Sequence, residues 1–279
     1  MLEQNDPRLT HLHIGSSYTS HEWRRCIPRT PYDYFRLGAG IGKNTNITSL
    51  YVDIHSTAVK EWFHGLRQNS SIAALELNGY SRDWAPTPII GGVGQDILNL
   101  CRENHMQHLN NLSISTCSIE NGGEVLIQNT LRRCIYLRQI RLCEISLTDD
   151  QLLPIVEALR EYNTLEELLL PGNRIGNAWC QALVALLEDA NSNLQYLNLY
   201  NNNIDSAGAN TIINSLSGNK QLRKLFLHGN HPMFDHSSLM DQNVHDALSQ
   251  LLCNKSSINN TFLSNHTLQY LPEVDLDLY

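Results

Sequence analysis

An eleven-residue frame, Leu-x-x-Leu-x-Leu-x-x-Asn-x-Ile, recurs along this chain and limits its possible folds more than any other feature. It runs without a mismatch through Leu165, Leu168, Leu170, Asn173 and Ile175, and again through Leu194, Leu197, Leu199, Asn202 and Ile204. Downstream, Leu222, Leu225, Leu227 and Asn230 keep it. Upstream, Leu137, Ile140, Leu142 and Leu147 keep it with Ile145 at the Asn position, and Leu109, Leu112, Ile114 and Ile119 keep it with Cys117 there. The first residues of these five copies are separated by steps of 28, 28, 29 and 28. A near-constant step of this length marks an array of one supersecondary unit. Weaker copies begin at Leu9, Ile47 and Ile72, and a last one runs through Ile258, Leu263 and Leu268. About nine units are therefore expected in a single domain spanning residues 1–279, degenerate at both ends.

The Leu-x-Leu piece reads as a short strand whose alternate side chains point into a core. The rest of a 28-residue step leaves room for a helix. Ala182, Leu183, Leu186 and Leu187 form one apolar stripe at helical spacing, and Ala209, Ile212, Ile213 and Leu216 form another. Asp205 and Thr148-Asp149 stand where a helix N-cap belongs. Neither strand nor helix buries its apolar face alone, so stacked neighbours must supply the core.

The period and its long helices resemble the ribonuclease-inhibitor-like class of leucine-rich repeats, along almost the whole chain. That resemblance implies an α/β solenoid, a right-handed horseshoe with parallel strands on its concave side and helices on its convex side. It implies binding of another macromolecule without saying which, because fold does not decide function. The class includes GTPase-activating proteins, and a regulator resembling the Ran activator is the alternative to a pure interaction module.

The step lengthens in three places, and the extra residues fall between strand and helix at 15–30, 78–90 and 228–241. All three are expected on one rim of the horseshoe. The first two carry Trp23, Arg24, Arg25, Arg29, Arg82 and Trp84. Trp and Arg are enriched at binding hot spots, so Trp23, Arg25 and Trp84 are candidate contacts. The strands supply another set. Side chains at the third, fifth and seventh frame positions face away from the core. There Leu169, Tyr196, Tyr200 and Phe226 make an expected exposed apolar-aromatic strip, with His228 and Arg141 beside it.

No enzymatic constellation rises above this pattern. Gly38-Ala-Gly40-Ile-Gly42-Lys43 lacks the first Gly and the Ser/Thr of a phosphate loop, and reads as a helix end leading into Ile47. The pair His11 and His13 and the trio His228, His231 and His236 lack the further ligands a metal needs. No cofactor, metal or catalytic group is expected. The formal charge of -8 argues against nucleic acid, whose phosphates call for a basic excess. No apolar run approaches the ~18 residues of a membrane span. The polar stretch Met1–His13 reads as no secretory signal. The 7 cysteines are odd in number and dispersed, which fits reduced thiols and a cytoplasmic setting. The expected partner is another protein, met either by this chain alone or as part of a longer chain or an assembly.

Overall fold

The computed structural model describes residues 4–14, 31–53, 66–79, 87–88, 108–118, 123–161, 163–230, 242–253, 256, 265 and 267–269. The chain packs as two compact units, Met1–Ile145 and Ser146–Tyr279.

In the first unit, β1 (His11–Ile14), β2 (Ser49–Asp53), β3 (Ala74–Asn78), β5 (Asn111–Ser115) and β7 (Gln139–Cys143) pair in that order, all parallel. Leu12, Leu50, Leu75, Leu112 and Ile140, each the fourth residue of its frame, stand in register. The second insertion contributes β4 (Thr87–Pro88), which pairs in parallel with β6 (Cys117–Ser118) as a separate small sheet. Helices α1 (Pro31–Lys43) and α2 (Gly123–Arg133) belong to this unit. The glycine-rich segment Gly38–Lys43 is the C-terminal end of α1, as its repeat frame predicts.

The second unit alternates more regularly: α3 (Asp149–Glu161), β8 (Glu167–Leu169), α4 (Asn177–Leu187), β9 (Tyr196–Asn198), α5 (Ser206–Ser215), β10 (Lys224–Phe226) and α6 (Gln242–Leu252). Leu168, Leu197 and Leu225 align across its parallel strands, and each helix packs on the next. Leu183, Leu186, Leu187, Ala209, Ile212, Ile213 and Leu216 are buried, as the stripes at helical spacing predict, while Ala182 is half-buried. Trp179, on α4, joins this core fully buried. The Asp205 carboxylate caps α5 by accepting from Ala207 N at 2.8 Å and Gly208 N at 3.1 Å. At the start of α3 the amide N–H of Thr148 is met by Gln151 Oε1 at 3.1 Å, as in a capping box. Parallel strands joined through helices, on a repeated Leu frame, make this an α/β leucine-rich-repeat solenoid.

Leucines fill the core, but asparagines tie one repeat to the next. Asn202 Nδ2 donates to Leu199 O in its own repeat and to Leu170 O in the preceding one, both at 3.0 Å. Its Oδ1 accepts from Ile175 N at 3.2 Å. Asn230 repeats the pattern one step on, donating to Leu199 O at 2.8 Å and accepting from Ile204 N at 3.0 Å. Asn173 takes the Leu147 N–H at 3.1 Å. In the second unit, strand-exit groups that the ladder leaves over, among them Leu170 O, Leu199 O, Ile175 N and Ile204 N, are thereby paired.

A second asparagine series lies three residues before the first Leu or Ile of a frame, and its spacing was readable but not anticipated. In the first unit Asn69 Oδ1 accepts from Ser71 N and Ile72 N at 2.9 Å, while its Nδ2 reaches back to Ile41 O and Asn44 O at 2.8 Å. In the second, Asn219 does the same for Gln221, Leu222 and Leu187, and Asn265 for Thr267, Leu268 and Leu216. Gln269 N then bonds Arg223 O at 2.8 Å, the same link that Arg223 N makes to Gln195 O. Leu268 therefore holds the first position of its frame, not the eleventh position of a copy beginning at Ile258. The quartet Leu268-Gln-Tyr-Leu271 matches Leu194-Gln-Tyr-Leu197 residue for residue.

The eighth frame position has its own constraint. Thr116, Glu144, Gly172, Asn201 and Gly229 occupy it in successive copies, and all five have positive φ, from 54° to 74°. Glycine adopts this conformation freely and Asn tolerates it, whereas Thr and Glu pay for it.

Two stability changes of opposite sign follow. Asn202→Ala strands buried backbone groups and should cost on the order of 3 kcal/mol, read by reversible urea unfolding. Glu144→Gly relieves the left-handed strain and should gain about 0.5 to 1 kcal/mol. A loss on Glu144→Gly would mean that its side chain has a stabilising role outweighing the strain.

Candidate functional site

In-register parallel strands place equal frame positions side by side. On the face away from the core, the second unit therefore carries Glu167, Tyr196 and Lys224 in one row, and Leu169, Asn198 and Phe226 in the next. Pro171, Tyr200 and His228 follow at the strand exits.

Four of these side chains form a chain of rings. Tyr196 and Phe226 have centroids 5.2 Å apart, Phe226 and His228 6.0 Å, and His228 and Tyr200 4.4 Å, each pair tilted. Lys224 Nζ lies 5.5 Å from the Tyr196 centroid, a cation–π contact that adds a charge to the strip. Tyr200 rests against the backbone of Gly229, where a Cβ would come within 2.8 Å of the ring. The ring keeps 41% of its surface exposed, while Tyr196, Phe226 and His228 are half-buried.

One member of the expected strip is misplaced. Leu169 is only 5% exposed, and Pro171 beside it is buried too. The level neighbour of Leu169 on β9 is Asn198. The continuous strip is thus the four rings with Lys224, without Leu169. Arg141 belongs to the first unit, on β7, where it is exposed. Trp23, Arg25 and Trp84 lie outside the described residues, as does most of each insertion.

The first unit's outer face is polar. His13 and Tyr51 meet edge to face at 4.2 Å, and Tyr51 Oη accepts from Asn78 Nδ2 at 3.0 Å. Thr116 Oγ1 donates to Asn78 Oδ1 at 2.6 Å, and Asn111 Nδ2 to Gln139 Oε1. The fifth-position row continues through Glu76, Ser113 and Arg141.

No group of three or more His, Cys, Asp or Glu among the described residues has the geometry of a metal site. No helix among them is long and apolar enough to cross a membrane. Cys134, Cys143, Cys180 and Cys253 are unbridged. Burial, then the carboxylates of Asp149 and Asp205, push the Cys180 thiol up to about 12. Burial and Glu144 raise Cys143 as well, against the pull of Arg141.

No family model matches the chain. An 83-residue stretch, 30% of the chain, is 35% identical to Tonsoku-like protein of Mus musculus and covers 6% of that protein. FERM domain-containing protein C of Dictyostelium discoideum is 21% identical over 164 residues, 57% of this chain and 11% of that protein. Among solved structures, an internalin from Listeria monocytogenes overlays with a TM-score of 0.42 at 18% identity, covering 76% of this chain and 48% of that one. The chain thus spans a small part of both curated relatives.

The raised Cys180 thiol predicts a pH dependence. An ordinary thiol ionises near 9.0, but in the fold this one holds its proton to about 12, so its stabilisation is complete below about 9 and is lost as pH rises towards 12. Relative to Cys180→Ala, the native chain should lose stability across that window. A constant difference between the two in unfolding experiments would contradict the assignment.

Proposed function

We propose that this chain is a protein-recognition module of the ribonuclease-inhibitor-like class of leucine-rich repeats, and that it grips its partner through the ring strip of the second unit. The class reading is supported by the 28- to 29-residue step and by a helix in each strand-to-strand connection of the second unit. One observation carries the site: Tyr196, Phe226, His228 and Tyr200 stand in a continuous run on the outer face of a sheet whose inner face is filled with leucine. Rings held by a rigid sheet lose little freedom on binding, and clustered aromatics are where truncation costs an interface most. The partner is a protein rather than nucleic acid, since the chain carries -8 overall. The dispersed cysteines favour a reducing, cytoplasmic setting. Trp23, Arg25 and Trp84 extend the footprint along the rim. A GTPase-activating role resembling the Ran activator has no residue motif here to support it, and recognition without catalysis is the preferred reading.

A photoreactive phenylalanine analogue at position 200 tests the site against the same group at Tyr136, which is 57% exposed and lies outside the strip. A discrete protein adduct should form from position 200 and not from 136. Phe226→Ala should weaken that partner at least about tenfold with little change in melting temperature. Equal labelling from both positions, or an indifferent Phe226→Ala, would count against the strip.

A further inference from the structure

At the strand exits the eighth residue of one repeat meets the seventh residue of the repeat before it. In the first unit that contact is polar. Thr116, eighth in its frame, donates from Oγ1 at 2.6 Å to Oδ1 of Asn78, seventh in the preceding frame. In the second unit the same two positions are held by Gly229 and Tyr200. Here the eighth residue brings no side chain, and the ring of the seventh lies in the space instead. A Cβ on Gly229 would stand 2.8 Å from Tyr200 Cε2 and 3.2 Å from Cδ2, and 3.2 Å from Asn201 N as well. Asn201 N is tied across the repeats, donating to His228 O at 3.0 Å. The ring turns about its own side-chain bonds and is 41% exposed, so it is the neighbour that would give way.

We infer that Gly229 is the positioning residue of the ring strip: having no side chain, it admits the Tyr200 ring to its place beside His228. Where binding is concerned this rests on the strip being the contact surface; the placement of the ring does not. Tyr200 joins the strip through His228, at 4.4 Å between centroids. Turned aside, it would leave the Tyr196–Phe226 and Phe226–His228 contacts intact and take away one end of the surface. The positive φ of Gly229, 74°, is a separate demand on the same residue. Asn can meet it, as Asn201 does in the preceding repeat at 54°. What Asn cannot do at position 229 is keep the Cβ space open. Backbone conformation and side-chain space are therefore separable by substitution.

The test compares Gly229→Asn with Gly172→Asn in the full chain carrying ring-labelled tyrosine and histidine. Gly172 holds the same frame position with a φ of 69°, so both variants make the same demand on the backbone. Through-space NMR contacts between the Tyr200 and His228 rings should vanish in Gly229→Asn and persist in Gly172→Asn. In the first variant the Tyr200 ring signals should also move towards those of a solvated tyrosine. A Tyr200–His228 contact that survives in Gly229→Asn, or is lost in both variants, overturns the inference. Binding is then read with the protein that the adduct from position 200 identifies. Gly229→Asn and Tyr200→Ala should each weaken it about tenfold. The double variant should be no weaker than Tyr200→Ala alone, because both changes remove the same ring. A further loss in the double variant would show Gly229 acting by another route and overturn its positioning role. A displaced ring with undiminished affinity would leave the placement standing and overturn the strip as the binding surface.

Discussion

Everything in this fold depends on a side-chain amide spanning two repeats. A parallel strand of three residues exits into a turn with its last carbonyls and N–H groups unpaired, and leucines packed around them offer no partner. Asn173, Asn202 and Asn230 close that gap, each satisfying its own turn and the neighbour's in one side chain. Asparagine suits the task because it carries donor and acceptor at one end of a short arm. Aspartate would lack the donor, and glutamine would overshoot. Asn69, Asn219 and Asn265 serve the strand entrances by the same chemistry, and Asn44 supplies the acceptor half, from Asn46 N and Ile47 N. Apolar burial supplies the drive to stack, and the amides fix the register at which stacking stops.

The architecture was readable from the chain because its rule is periodic. Leucines at fixed offsets announce strand, face and step together, and the aligned set Leu168, Leu197 and Leu225 is the direct outcome. The final copy was misread because apolar spacing was followed where the entrance asparagine is the better marker. Asn265 anchors Leu268, whereas the residue three places before Ile258 is Lys255. The frame also located the aromatic strip, since ring positions across parallel strands follow from register alone. It did not foresee the burial of Leu169, which depends on three-dimensional packing and not on frame position. Nor could it reveal that the Tyr200 ring lies where a side chain at Gly229 would stand. A glycine in that position reads as ordinary until its neighbours have been looked for in three dimensions.

The two units use one scaffold for different surfaces. The second places aromatic rings and a lysine over its sheet, and its eighth positions are Gly172, Asn201 and Gly229, residues at ease with positive φ. The first carries Glu, Ser, Arg, Asn and Gln side chains, and keeps Thr116 and Glu144 in a conformation that costs them energy. Those strained residues follow directly on the strands that bear Ser113 and Arg141.

Confining the joining chemistry to the strand ends has a consequence for change over time. Apart from buried Leu169 and from Asn198, which accepts from Tyr200 N, most side chains between the two asparagine series, at the third and fifth positions, neither fill the core nor close a turn. They are a register of interchangeable letters on a line whose punctuation is set elsewhere. A chain built in this way can exchange one recognised partner for another by rewriting those letters, while its backbone stays as it was.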